Sequence, residues 1–153
     1  MTNETVIDAL NALIVINNDR IEGYDTAAKE TEEADLKDLF HNCMNTSATC
    51  KAKLIAEVHL LGGTPDEGTR MTGKFFRVWM DVKAFLTSKD RVSILNSCEF
   101  GENVAIDAYK AVLTDKTEAL SLGHIALLNA QQILLTNDRD RIVALREALA
   151  VAA

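Results

Sequence analysis

Proline, glycine and aromatic residues are scarce in this sequence. Its 153 residues include one proline and seven glycines, and only 5% are phenylalanine, tryptophan or tyrosine. A β-sandwich or β-barrel needs many turns and strands rich in aromatic or β-branched residues, so the composition disfavours both. Because 48% of the residues are hydrophobic and 25% are charged, the chain can bury a core and is not disordered. We expect a single domain spanning residues 1–153.

Basic charge is also in short supply. Sixteen lysines and arginines stand against 23 aspartates and glutamates, which gives a net charge of -7. Nucleic acids and anionic membranes are bound by basic faces, so neither is an expected partner. No apolar run approaches the roughly 20 residues of a membrane span, and the start of the chain, MTNETVIDAL, lacks the basic residues of a signal peptide. We expect a cytoplasmic protein.

Three cysteines are present, and we predict that all three are reduced core residues. Cys43 and Cys50 lie seven residues apart in one helical pattern. That spacing separates them by about 10 Å, which is too far for a disulfide. Like Cys98, both fall on apolar stripes.

Apolar residues recur with the spacing of amphipathic helices in four long segments. They cover about residues 4–29, 32–61, 90–113 and 118–149. We predict that Thr31 caps the second helix, and that Thr87 and Asp90 form a capping box before the third. The second helix is expected to end at Gly62 and Gly63.

The connection between the second and third long helices is nearly thirty residues long. It begins with most of the glycines and the only proline, and continues as a short aromatic helix from Lys74 to Leu86. A connection of this length can run the length of a bundle. The expected fold is therefore all-α: a ferritin-like four-helix bundle with a short extra helix between helices two and three.

Polar residues on the apolar stripes are informative because a polar group in a core is costly unless it is paired. On the first helix Asn17 and Tyr24 point inward, Arg20 lies near their boundary, and Glu22 faces solvent. On the last helix His124, Gln131 and Asp138 share one position of the stripe at successive heptads, but Asp138 also starts a charged run that predicts a solvated face.

Two interpretations of the inward polar residues stay open. In the first, four side chains hold iron or another divalent metal, as carboxylates from facing helices do in di-iron bundles. These candidate metal ligands are Glu57, Glu99, Glu102 and Gln131. In the second, Arg20 or Tyr24 pairs with Glu102, and Gln131 completes a network that fixes helix register.

Other chemistry has little support in the sequence. The glycines match no phosphate-binding loop, and no nucleophile elbow is present. We predict that His124 is partly exposed or hydrogen-bonded, and that His41 and His59 lie on the surface. We therefore assign no catalytic residue and no cofactor-binding residue, and the sequence names no cofactor beyond the iron or other divalent metal considered above.

Four strings carry a family resemblance. They are N-N-D-R-I-E-G-Y at 17–24, L-G-G-T-P at 61–65, W-M-D-V-K at 79–83, and I-L-N-S-C-E-F-G-E at 94–102, followed by Tyr109. In this order they resemble a bacterial family of small ferritin-like four-helix-bundle proteins catalogued as a domain of unknown function. The resemblance implies a fold but no reaction. Glu102 and Gln131 match the third-helix Glu and fourth-helix Gln of the ferritin-like pattern, whereas no Glu-x-x-His occurs.

We predict a structural or interaction module with a buried polar network. It is expected to form a homodimer, and a protein partner would bind a surface centred on Phe75, Phe76 and Trp79. The alternative is a ferritin-like metal-binding protein with iron-storage or oxidoreductase activity.

Overall fold

Five helices make up most of the chain that the structure describes. The computed structural model describes the backbone of residues 2–69 and 73–152, and the side chains of residues 3–69 and 75–148. The helices are α1 (Thr2–Glu30), α2 (Ala34–Leu60), α3 (Gly73–Ser88), α4 (Arg91–Asp115) and α5 (Leu122–Ala152). No strand occurs in the described backbone, and none of its helices is long and apolar enough to cross a membrane. The prediction of an all-α helical bundle is confirmed.

The four long helices form two antiparallel pairs joined by a crossover. α1 and α2 are connected by residues 31–33 alone and pack along their lengths, as do α4 and α5. Across the bundle, Asn17 meets Tyr109 and Tyr24 meets Glu102, so α1 and α4 run in opposite directions. α2 and α4 therefore run the same way, and the connection between them travels the length of the bundle.

The crossover is fastened to α1 before α3 begins. The Asn11 side chain donates to the Thr64 carbonyl at 3.1 Å and accepts from the Asp66 backbone N–H at 2.8 Å. Asn18 lies about two turns further along the same face of α1, and its side chain donates to the Gly68 carbonyl at 2.8 Å. These bonds pair backbone groups of a segment that has no secondary structure of its own.

α3 rests on α1 and α4 at two glycines. A Cβ at Gly23 would lie 2.1 Å from Cε2 of Trp79, and a Cβ at Gly101 would lie 2.9 Å from Cγ1 of Val78. Only glycine, which has no Cβ, lets α3 approach α1 and α4 this closely. Trp79 also packs edge-on against Tyr24, with ring centroids 4.8 Å apart. Gly23 and Gly101, the glycines against which α3 packs, thus lie in two of the four strings that carry the family resemblance.

Helix starts differ from the sequence predictions at three places. Glu33, not Thr31, is the N-cap of α2, and the Thr31 hydroxyl accepts from the Glu33 backbone N–H at 3.2 Å. The capping box was wrong, because α3 continues past Thr87 and Asp90 itself caps α4 with its side chain. α5 begins at Leu122, after a turn that takes up the residues expected to start it.

Two clusters of buried apolar side chains fill the bundle. One includes Leu10, Leu54 and Leu128. The other lies at the opposite end of the bundle and includes Phe40 and Leu95, from the N-terminal halves of α2 and α4. The central turns of the four long helices lie between these clusters, and they carry polar residues.

Candidate functional site

Arg20 lies at the centre of the bundle, with 1% of its side chain exposed. Its Nη2 donates to both carboxylate oxygens of Glu102 at 2.8 Å and lies 3.3 Å from Oδ2 of Asp138. Its Nη1 donates to the Ser47 hydroxyl and to the Cys43 carbonyl, the latter at 3.5 Å. One guanidinium on α1 therefore contacts α2, α4 and α5.

Glu102 is as deeply buried as Arg20 and has a second donor, the Tyr24 hydroxyl. Burial is the largest single effect on the pKa of Arg20 and acts to lower it, but Glu102, Tyr24 and Cys43 together outweigh burial, and the pKa is raised. Burial and the Glu102 charge hold the pKa of Tyr24 well above its ordinary value. At neutral pH Arg20 is therefore charged and Tyr24 is a neutral phenol. Both partners that the second interpretation offered to Glu102 are confirmed.

The network holds two carboxylates and one guanidinium. Glu102 and Asp138 share Arg20, and the Tyr24 hydroxyl donates a further hydrogen bond to Glu102. Charges in a core are tolerated only when they are paired and hydrogen-bonded. The second carboxylate belongs to Asp138, which also lines a surface groove between α2 and α5.

A second polar layer lies toward the other end of the bundle. Asn17 donates to the Tyr109 hydroxyl at 2.9 Å, and that hydroxyl donates to Oε1 of Gln131 at 2.7 Å. Gln131 in turn donates to the Cys50 carbonyl at 3.1 Å. This layer again joins α1, α4, α5 and α2, so Gln131 does belong to a buried network.

Glu57 and Glu99 lie outside both layers. Oε2 of Glu57 is 3.3 Å from Nε2 of His124, near the start of α5. Glu99 is partly exposed and accepts a hydrogen bond from Arg146. The prediction that His124 is partly exposed or hydrogen-bonded is confirmed.

The four candidate metal ligands therefore have four different partners, and the structure does not bring them together. Among the residues that are described, no group of three or more His, Cys, Asp and Glu side chains is placed to hold a metal ion. The most buried of the four, Glu102, already has a cation on both oxygens. This donor set does not fit a di-iron centre, and metal binding at these residues stays a prediction.

The cysteines are free and buried, as predicted. Burial raises the pKa of Cys50 to about 11 and raises the pKa values of Cys43 and Cys98 as well. A nucleophilic or metal-binding cysteine must be a thiolate. These three are thiols at neutral pH and pack as small apolar side chains.

Comparison with protein families gives a match. The family described as domain of unknown function (DUF2383) matches residues 5–115, which is well over half of the chain. The chain belongs to this family. The match spans α1 to α4, with Arg20 and Glu102, while Gln131 and Asp138 on α5 lie beyond it. No curated protein matches the chain.

One prediction about a central residue of this DUF2383 protein is wrong. Asp138 was expected on a solvated face, but it is buried and lies against Arg20. The charged residues of this run do not share one face of α5: Asp140 and Arg141 are exposed, whereas Asp138 is buried. Its spacing of seven residues from Gln131 places both on the same side of α5, and this signal was the correct one of the two that the sequence offers.

The aromatic helix of the DUF2383 protein is only partly available to a partner. Phe75 is 5% exposed and belongs to the core, which corrects its assignment to a surface patch. Trp79 is partly buried against Tyr24. Phe76 and Met80 are 52% and 53% exposed and form the apolar part of the surface.

A groove of about 250 Å³ lies beside these two residues, between α1 and α3. Its α1 wall carries Glu22 and Glu30, and its α3 wall carries Phe76, Trp79 and Met80. Glu22 is exposed, as its position on α1 predicted.

Proposed function

We propose that this protein is a structural or interaction module, and that Arg20 takes the place of a metal ion at its centre. The observation that carries the proposal is the double hydrogen bond from Arg20 to Glu102 at full burial. Carboxylates inside a bundle need a cation, and here the chain supplies its own. A metal ion would have to displace the guanidinium and leave a buried charge unpaired, which costs about 3–5 kcal/mol.

The network supports a role in helix register. Each layer joins all four long helices through side chains of fixed geometry, with Arg20 in one layer and Tyr109 in the other. Sliding one helix by a single turn, about 5.4 Å, would break these hydrogen bonds and leave their groups buried. A purely apolar core would resist such a slide less. The two layers therefore favour one register of the helices, and with it one set of exposed residues.

Three further assignments belong to the proposal. We treat residues 1–153 as one ferritin-like domain, supported by the crossover that makes α2 and α4 parallel. We place the protein in the cytoplasm, where cysteines remain reduced, because all three are free. We assign it a protein partner rather than a substrate, because its central polar groups pair with one another.

Anaerobic loading with Fe(II), followed by gel filtration and measurement of metal per chain, tests this proposal. We expect no stoichiometric iron in the wild-type protein. Glu102→Gln should lower the free energy of unfolding without changing metal content. Glu99→Gln is the matched control, since Glu99 pairs with Arg146 at the surface and its loss should change neither quantity.

The alternative function makes the opposite prediction. About two irons per chain, as in di-iron bundles, would favour iron storage or oxidoreductase chemistry, provided Glu102→Gln lost them and stayed folded. That result would overturn the proposal.

A further inference from the structure

We propose that the groove between α1 and α3 is the surface through which two copies of this chain form a two-fold symmetric dimer. The inference rests on the proposed function as an interaction module and deepens it, because it names the partner. It is carried by the shape of the patch and by the charges on its two sides.

The patch combines a ridge and a groove. Phe76 and Met80 are four residues apart, so they lie side by side on α3 and form an apolar ridge that is about half exposed. The groove runs beside the ridge, with Trp79 and Ala27 among its lining residues. A surface that offers both elements is complementary to itself: under a two-fold axis, each ridge enters the groove of the other copy.

Charges of opposite sign flank the ridge. Glu22 lies on the α1 side, in the wall of the groove. Arg77 follows Phe76 by about 100° around the helix and lies beyond Met80, on the side away from α1. Both are exposed, and neither makes an ion pair with another residue of the described chain. A two-fold axis between the ridge and the groove, parallel to α3, brings Arg77 of each copy toward Glu22 of the other.

At the far end of the groove, opposite charges face each other within one chain. Lys83 on α3 lies 4.0 Å from Glu30 on α1. This leaves Glu22 as a groove carboxylate without an ion pair among the described residues, and Arg77 as an exposed cation of α3 that a second copy can supply. The charge pattern thus favours a second copy over a strongly acidic or strongly basic partner.

The patch predicts a modest affinity. α3 has 16 residues and is therefore about 24 Å long. A face of two adjacent helices is about 20 Å wide, so each copy buries on the order of 500 Å². Interfaces of this size are weak and exchange with monomers, so we expect a dimer with a Kd in the micromolar range.

Sedimentation velocity at increasing protein concentration tests the dimer. The mass should rise from the 16.8 kDa of one chain toward twice that value between about 1 µM and about 1 mM. Met80→Glu should weaken association by about tenfold or more, because it places a charge on the apolar ridge. Phe100→Glu is the control: Phe100 is as exposed as Phe76, but it lies outside the groove.

A charge exchange tests the two-fold arrangement. Glu22→Arg and Arg77→Glu should each weaken the dimer, and the double variant should restore it. Far-ultraviolet circular dichroism should show the same helix content throughout, so that loss of association is not loss of fold. A protein that stays monomeric, a dimer indifferent to Met80→Glu, or a double variant without rescue would each overturn the inference. The Fe(II) experiment is unaffected by all three results and judges the proposed function separately.

Discussion

Removing the charge of Glu102 is expected to destabilise the protein by about 3 kcal/mol. Glu102→Gln keeps the size of the side chain but removes the carboxylate that accepts two 2.8 Å hydrogen bonds from Arg20. Breaking a buried ion pair by removing one partner costs about 3–5 kcal/mol, because the other charge stays buried. Asp138 remains 3.3 Å from the guanidinium, so the expected cost is at the lower end of that range.

A double-mutant cycle separates the pair from its surroundings. Arg20→Met should cost at least as much as Glu102→Gln, since it leaves both Glu102 and Asp138 without their cation. Together the two substitutions remove the charges of the pair, so their combined cost should be smaller than the sum of the single costs by about 2 kcal/mol or more.

Urea unfolding followed by circular dichroism gives the four free energies of the cycle. The matched control is the pair of Glu99 and Arg146, which also joins α4 to α5 but is partly exposed. Its coupling energy should lie below about 1 kcal/mol, because solvent screens it. Equal coupling energies at the two pairs would refute the reasoning, since burial would then contribute nothing to the central network.

The remaining predictions concern packing, hydrogen bonding and pH. Gly23→Ala should cost about 1–3 kcal/mol and shift the emission of the only tryptophan, Trp79, because the new Cβ would lie 2.1 Å from its ring. Tyr109→Phe should cost about 1–3 kcal/mol in urea unfolding, since Oε1 of Gln131 loses its buried donor. Because burial raises the pKa of Cys50 from 9.0 to about 11, the folded state holds the thiol proton more tightly than the unfolded state. Its contribution to stability should be complete below pH 9 and decline toward pH 11, and Cys50→Ala should make the measured decline shallower.

Gly23→Ala has a matched control, and each of the three predictions has a result that would contradict it. Gly123→Ala should not destabilise α5, because the nearest atom to its Cβ is Oγ of Ser121 at 3.7 Å. An unchanged stability for Gly23→Ala would show that α3 does not rest on α1 as described. A Tyr109→Phe variant as stable as the wild type would mean that the second polar layer contributes nothing. A decline with pH that Cys50→Ala leaves unaltered would assign it to the other thiols and phenols, whose pKa values are also raised.

Half of the central site could be predicted from the sequence. Arg20, Glu102 and Gln131 were found because they interrupt apolar stripes, and an interruption is visible in a helical pattern without any partner. The pairing of Glu102 with Arg20 or Tyr24 was one of two interpretations. Periodicity places a side chain on a face but does not say which face of another helix it meets, so a metal ion and a guanidinium were equally compatible with it.

The positions that sequence reasoning missed depend on contacts between distant segments. Asp138 was assigned to solvent from its charged neighbours, whereas the position of α5 against α2 buries it beside Arg20. Gly23 and Gly101 gave no signal of their own, because a glycine inside a helix shows its purpose only when another helix lies against it. Phe75 and Phe76 are adjacent and equally apolar, and only the docking of α3 decides which one is buried.

The sequence by itself determined the helices, their approximate limits, the all-α class and the residues that interrupt the core. These properties depend on local spacing, which repeats every 3.6 residues and needs no knowledge of the rest of the chain. Only the tertiary structure decided which residues meet. It placed Arg20 against Glu102, packed α3 against Gly23 and Gly101, and thereby set the side of α3 that stays exposed. Each of these contacts joins residues on different helices, so it is fixed by how the helices pack and not by any pattern within one helix.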